Sequence, residues 1–113
     1  MTSARDTVDA FGERWGAHDL DGCLAMLTDD CVFDATGPAP DGTRCVGVDA
    51  IRAAWAPIFA DTAATFTAEE TFDADDRVVQ LWRYDWGDGH VRGVDVFRVR
   101  DGKVAEKLSY VKG

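Results

Sequence analysis

The apolar period of this chain changes once, near residue 65, and that change limits the possible folds more than any other feature. Before it, apolar residues recur at helical spacing. Ala4, Val8, Phe11 and Trp15 form one stripe of a helix over residues 3–17. Ser3 is its candidate N-cap, and Asp6, three residues on, completes a capping box. Gly16-Ala17-His18-Asp19 breaks the stripe, and Asp19 caps a second, short helix that buries Leu20, Cys23, Leu24 and Leu27. Val48, Ile51, Trp55, Ile58 and Phe59 mark a third helix over residues 48–59, whose last turn Pro57 is expected to kink or unwind.

Beyond residue 65 the pattern alternates. Residues 65–72 place Phe66, Ala68, Glu70 and Phe72 on one side. Residues 78–86 and 91–100 read as strands joined through Gly87-Asp88-Gly89, and Asp101-Gly102 is a two-residue hairpin turn into a strand over 104–111. Between the two halves, Asp29-Asp30 reads as a solvated junction between the second helix and a short strand over 31–35. Gly37, Pro38 and Pro40 make residues 36–42 a loop, and 44–46 is a short strand. Three helices followed by an antiparallel meander is an α+β arrangement, with the helices packed on one face of a curved sheet. A chain of 113 residues without repeat or linker reads as one domain, 1–113.

Charge and cysteine usage narrow the partners. The net charge of -9 opposes nucleic acid, which needs clustered Lys and Arg, and an anionic membrane surface. No apolar run approaches the ~18 residues of a membrane span, and the N-terminus runs into an amphipathic stretch and not a signal core. Cys23, Cys31 and Cys45 are an odd set without a Cys-x-x-Cys pair, which fits a reduced, cytoplasmic protein. Two distant histidines, His18 in the interhelical break and His90 in a hairpin, do not build a metal site with them, and both read as loop residues. There is no phosphate-cradling loop and no Gly-x-Ser-x-Gly elbow, so no cofactor is expected.

The strand over 91–100 carries the candidate chemistry. Arg92, Arg98 and Arg100 stand on its even face, so the odd face is the buried, concave one, and Asp95 is its single charged group. A carboxylate beside Phe97 and Val99 is costly to keep ionised. It is either an acid/base or a neutral hydrogen-bond donor in a pocket, or a structural group bonded to a tyrosine, a tryptophan N–H or an arginine. On the preceding strand Trp82, Tyr84 and Trp86 share a face with Gln80. Inward they wall a pocket; outward they form a dimer patch. Val79, Leu81, Val94 and Val96 fall on the outer face, where a two-fold partner would cover them, and a homodimer is the expected state.

Four stretches carry a resemblance: Phe11-x-x-x-Trp15-x-x-His18-Asp19-Leu20-Asp21, the run from Met26 to Phe33, Gly47-Val48-Asp49-Ala50-Ile51-Arg52, and the run from Val94 to Val104. They resemble the SnoaL-like, nuclear-transport-factor-2-like superfamily over nearly the whole chain. The resemblance implies a cone-shaped roll of a strongly curved, mainly antiparallel sheet with three helices on its concave side. That fold hosts isomerases, cyclases, dehydratases and non-catalytic binders. Against the ketosteroid isomerases, Asp95 falls at the oxyanion-hole aspartate, Phe11 at the oxyanion-hole tyrosine and Ala35 at the general base, with Asp34 one residue before. Phenylalanine donates no hydrogen bond and alanine takes no proton, so that mechanism is not expected. The polyketide-cyclase relatives imply one acid/base aspartate in a hydrophobic pocket. Asp95 would fill that role, with Phe11, Trp15, Phe33, Ala35, Trp55, Gln80, Trp82, Tyr84, Phe97 and Tyr110 as lining. A small apolar, cyclic molecule is the implied ligand. The competing expectation is a ligand-binding or dimerisation module without chemistry.

Overall fold

A computed structural model of the protein describes residues 3–112. The helices are α1 (Ala4–Gly16), α2 (Leu20–Ala25) and α3 (Val48–Ala60). The strands are β1 (Leu27–Asp34), β2 (Arg44–Val46), β3 (Thr65–Ala74), β4 (Arg77–Asp85), β5 (His90–Arg100) and β6 (Lys103–Val111). They form one sheet in the order β2-β1-β6-β5-β4-β3. The β1–β6 pair is parallel and the others are antiparallel. This is the curved, mainly antiparallel α+β sheet expected from the sequence.

The capping box of α1 is formed: Ser3 Oγ accepts from the Asp6 amide at 3.0 Å, and the Ser3 amide donates back to Asp6 Oδ2. Pro57 does not end α3, which runs on to Ala60. The cost of the missing N–H is small because Ala53 and Pro57 both face solvent, while buried Trp55 and Phe59 hold the turn in place. Asp29-Asp30 is likewise not a junction. Strand β1 begins at Leu27, and both aspartates sit inside it, where its register with β6 slips between Leu27 and Val32. His18 is not a free loop residue: it holds φ 58° and its Nε2 donates to the Ala64 carbonyl at 3.1 Å, tying the end of α1 to the approach to β3.

Irregular registers bend the sheet around the helices. One lies between Ala68 and Glu70 on β3, and another between Arg98 and Val99 on β5, opposite an extra residue, Ala105, on β6. The concave face meets Val8 and Phe11 of α1, Cys23 and Leu24 of α2, and Ile51, Trp55 and Phe59 of α3. Trp55 has no exposed surface and is the hub of an aromatic cluster. Its ring centroid lies 4.9 Å from Trp15, 5.4 Å from Phe33 and 5.9 Å from Phe11. Gly93 permits a close approach: a Cβ there would lie 2.3 Å from the Tyr110 carbonyl oxygen and 2.5 Å from the Trp82 ring, so its absence lets Trp82 lie across β5. The convex face is apolar along two cross-strand rows, Leu81–Val94–Tyr110 and Val79–Val96–Leu108. Leu81 is 37% and Tyr110 56% exposed.

Candidate functional site

A cavity of about 260 Å³ opens between the helices and the concave face of the sheet. Helix α1 contributes Phe11 and Trp15, α3 contributes Ala54 and Ile58, and Phe33, Ala35 and Thr36 come from β1 and the loop after it. Strands β4 to β6 supply Gln80, Trp82, Tyr84, Asp95, Phe97, Lys107 and Ser109. Exposed Thr36 and Val111 mark the rim. Burial pushes the Tyr84 phenol upward, so it stays protonated and keeps its hydrogen-bond donor at neutral pH.

The floor is polar, and its centre is an ion pair. Lys107 Nζ lies 3.1 Å from Asp95 Oδ2, with the two side chains only 8% and 3% exposed. Lys107 also donates to Ser109 Oγ at 3.0 Å. Its ammonium stands 4.7 Å from the Trp15 ring centre and 5.1 Å from that of Phe33, within cation–π range. Asp95 Oδ1 is buried and has no hydrogen-bond partner among the described residues. Beside it in the ladder Gln80, also buried, gives its Nε2 to Thr71 Oγ1 at 3.3 Å.

Asp95, Phe11, Trp15, Phe33, Ala35, Gln80, Trp82, Tyr84 and Phe97 are thus brought to one cavity. Two residues expected there stand elsewhere. Trp55 is sealed in the core behind Trp15 and Phe33, and its neighbours Ala54 and Ile58 face the cavity instead. Tyr110 lies on the convex face because of the extra residue at Ala105. An unbulged strand after the two-residue turn would set Tyr110 opposite Gly93, on the concave side. The bulge moves the register by one, so Gly93 meets Val111 and every β6 side chain beyond Ala105 changes face. Trp82 and Tyr84 point inward as one of the two readings had it, while Trp86 is 43% exposed past the end of β4.

The same shift brings in what the sequence reading missed. Lys107 and Ser109 join the concave face, opposite Phe97 and Asp95. Hydropathy alone selects the wrong side of β6, since Leu108 and Tyr110 are more apolar than Lys107 and Ser109. The usable signal was the acid itself: a buried carboxylate on β5 needs a cation, and Lys107 is in reach only if the strand bulges. Asp34 stays on the outer side, held by Arg44 at 2.8 and 2.9 Å. That guanidinium keeps its carboxyl below the usual range.

Removing one member of a buried pair strands the other charge. Lys107→Met is expected to cost about 3–5 kcal/mol of unfolding free energy, whereas Asp95→Asn combined with Lys107→Met is expected to be near neutral. Urea unfolding of both variants checks this. Equal losses in the two would mean that the charges are not coupled.

Residues 8–107 match the family model of the SnoaL-like domain. No curated protein matches the chain. Among solved structures, an NTF2-like protein of unknown function from Mesorhizobium loti is 38% identical, with a TM-score of 0.88 over 97% of this chain and 91% of that one. RV0760c from Mycobacterium tuberculosis, in complex with estradiol-17beta-hemisuccinate, is 27% identical, with a TM-score of 0.78 over 96% of this chain and 93% of that one. A computationally designed 17-OHP binder is 28% identical, with a TM-score of 0.81 over 99% and 93%. With a match over residues 8–107 and an NTF2-like relative aligned along nearly its whole length, the chain belongs to the SnoaL-like family of the NTF2-like fold.

Proposed function

We propose that this protein binds a small, apolar, cyclic molecule in the cone, with Asp95 as the polar group that meets it. The observation that carries the reading is a cavity walled by aromatic and aliphatic side chains, with Asp95, Lys107 and Ser109 as a small polar cluster in its lining. Ligand sites of this kind are mostly apolar with a few placed polar groups. Its volume of about 260 Å³ lies just below the ~300–1,000 Å³ of drug-sized sites, which favours one or two rings. One similar structure is in complex with estradiol-17beta-hemisuccinate and another is a designed 17-OHP binder, which supports a ligand role for the cone. Titration with 2-naphthol is the test, read by quenching of Trp15 and Trp82. A single saturable site is expected in the wild type and its loss in Ala35→Trp, which fills the cavity. No quenching, or quenching that survives Ala35→Trp, would remove the reading.

Catalysis at the same site is a second reading, favoured by a carboxylate in the cavity lining. A carboxylate in a mostly apolar cavity can act as a proton acceptor. Isomerisation, cyclisation or dehydration of an already activated substrate are the reaction types that one such group can serve. Asp95→Asn is expected to abolish turnover of any compound the wild type converts, and unchanged turnover in a product assay would exclude Asp95 from the chemistry.

The convex face supports a homodimer. Its two apolar rows cross three strands, and a two-fold partner would take them out of water. Light scattering at micromolar concentration is expected to give twice the chain mass, and Leu81→Lys to halve it. A monomeric wild type would overturn the proposal.

A further inference from the structure

Of the ten ion pairs among the described residues, nine use arginine and one uses lysine. The lysine pair, Lys107 with Asp95, is also the one with both partners buried, and both line the cavity. Arginine is the usual cation for a buried pair, because its planar fork meets a carboxylate with two parallel bonds. Lys107 gives Asp95 a single contact, Nζ to Oδ2 at 3.1 Å, and leaves Oδ1 without a partner. As a structural clamp the pair is poorly made, since a buried pair stabilises only when its remaining lone pairs are satisfied. What lysine has and arginine lacks is an amine that can give up its proton and attack a carbonyl.

The chain holds three lysines. Lys103 and Lys112 are exposed, whereas Lys107 is buried against the cavity. An ammonium has three N–H donors. Two polar atoms face that of Lys107, Asp95 Oδ2 and Ser109 Oγ. Its other side meets the rings of Trp15 and Phe33, which themselves line the cavity. The amine is thus held by one acid beside an apolar space. Out of water, the neutral pair of amine and carboxylic acid comes closer in energy to the ion pair, since neither charge is solvated.

We propose that Lys107 captures the carbonyl of a small cyclic aldehyde as a protonated imine, with Asp95 as its proton relay. The ammonium passes a proton to Oδ2, which frees the nitrogen lone pair. That pair forms a C–N bond while the carbonyl π electrons move to oxygen, and the oxygen takes the proton from Asp95. A second proton leaves nitrogen through the same carboxylate and reaches the new hydroxyl. The C–O bond breaks, water departs, and the nitrogen lone pair closes the C=N bond. Ammonium and aldehyde have become iminium and water, with no electron lost or gained. Asp95 ends as a carboxylate facing the iminium, so the cavity holds the same charges before and after.

The imine deepens the ligand reading above and rests on it, since an aldehyde must enter the cavity to reach Lys107. The probe is 2-naphthaldehyde, added to the full chain with sodium cyanoborohydride, which reduces an imine to a stable secondary amine. Tandem mass spectrometry locates the naphthylmethyl group. Lys107 is expected to be labelled about tenfold or more faster than Lys103 and Lys112, because an aldehyde bound beside it meets it at a high effective molarity. Excess 2-naphthol, which has the same rings and no carbonyl, is expected to protect Lys107 and leave the other two lysines unchanged. Lys107→Arg keeps the cation and is expected to lose the fast label. Labelling confined to Lys103 and Lys112, while 2-naphthol still quenches Trp15 and Trp82, overturns the imine and leaves the cavity a ligand site. Labelling of Lys107 that 2-naphthol does not slow overturns the imine as well. Absence of both the Lys107 label and the quenching overturns the imine and the ligand reading together.

Discussion

A lysine and an aspartate taken out of water together must be held by everything around them. Neither charge tolerates this interior alone, since desolvating a single ion costs several kcal/mol. The Asp95–Lys107 pair therefore constrains the two strands that carry it. Strands β5 and β6 have to run in a register that sets both groups on the concave side, and the rings of Trp15 and Phe33 have to close over the ammonium. Those rings belong to α1 and β1, so the pair fixes the approach of the first helix and the far side of the sheet as well.

The register is set by the extra residue at Ala105. Without it the hairpin from Asp101-Gly102 would bury Glu106 and Leu108 where Lys107 and Ser109 now stand. The bulge also adds curvature, and the slips in β1 and β3 add more, so the sheet wraps the helices without lying flat beneath them. A flat sheet would fill its concave side with close-packed core. Here the core of Trp55, Ile51 and Val8 fills part of that space, and the cavity is left beside it.

The fold hosts many activities, so the site has to argue for itself. The resemblance to the ketosteroid isomerases puts Phe11 and Ala35 where a tyrosine and a base would be expected, and both line the cavity as apolar wall. Asp34 does not compensate, because Arg44 holds it on the outside. One carboxylate remains in the lining, and a lysine is paired with it.

The sequence by itself determined the class of fold and the address of the acid. Helical period up to residue 60, alternation beyond 65 and the Asp101-Gly102 turn specify three helices and a meander, and the arginines of β5 specify which side of that strand is buried. These are local signals: period, caps and turns are read within a few residues. The family words at Phe11, Trp15 and His18, and around Asp95, were equally legible. Tertiary structure alone decided the partner of the acid and the shape of the pocket. A one-residue bulge leaves no mark in hydropathy, yet it exchanges Tyr110 for Val111 and brings in Lys107 and Ser109. Whether an aromatic on α3 lines a cavity or seals the core depends on how the helix rolls against the sheet, which separated Trp55 from Ala54 and Ile58. The physical reason is the same in both cases: the energy that chooses between faces comes from contacts between strands and helices far apart in the chain.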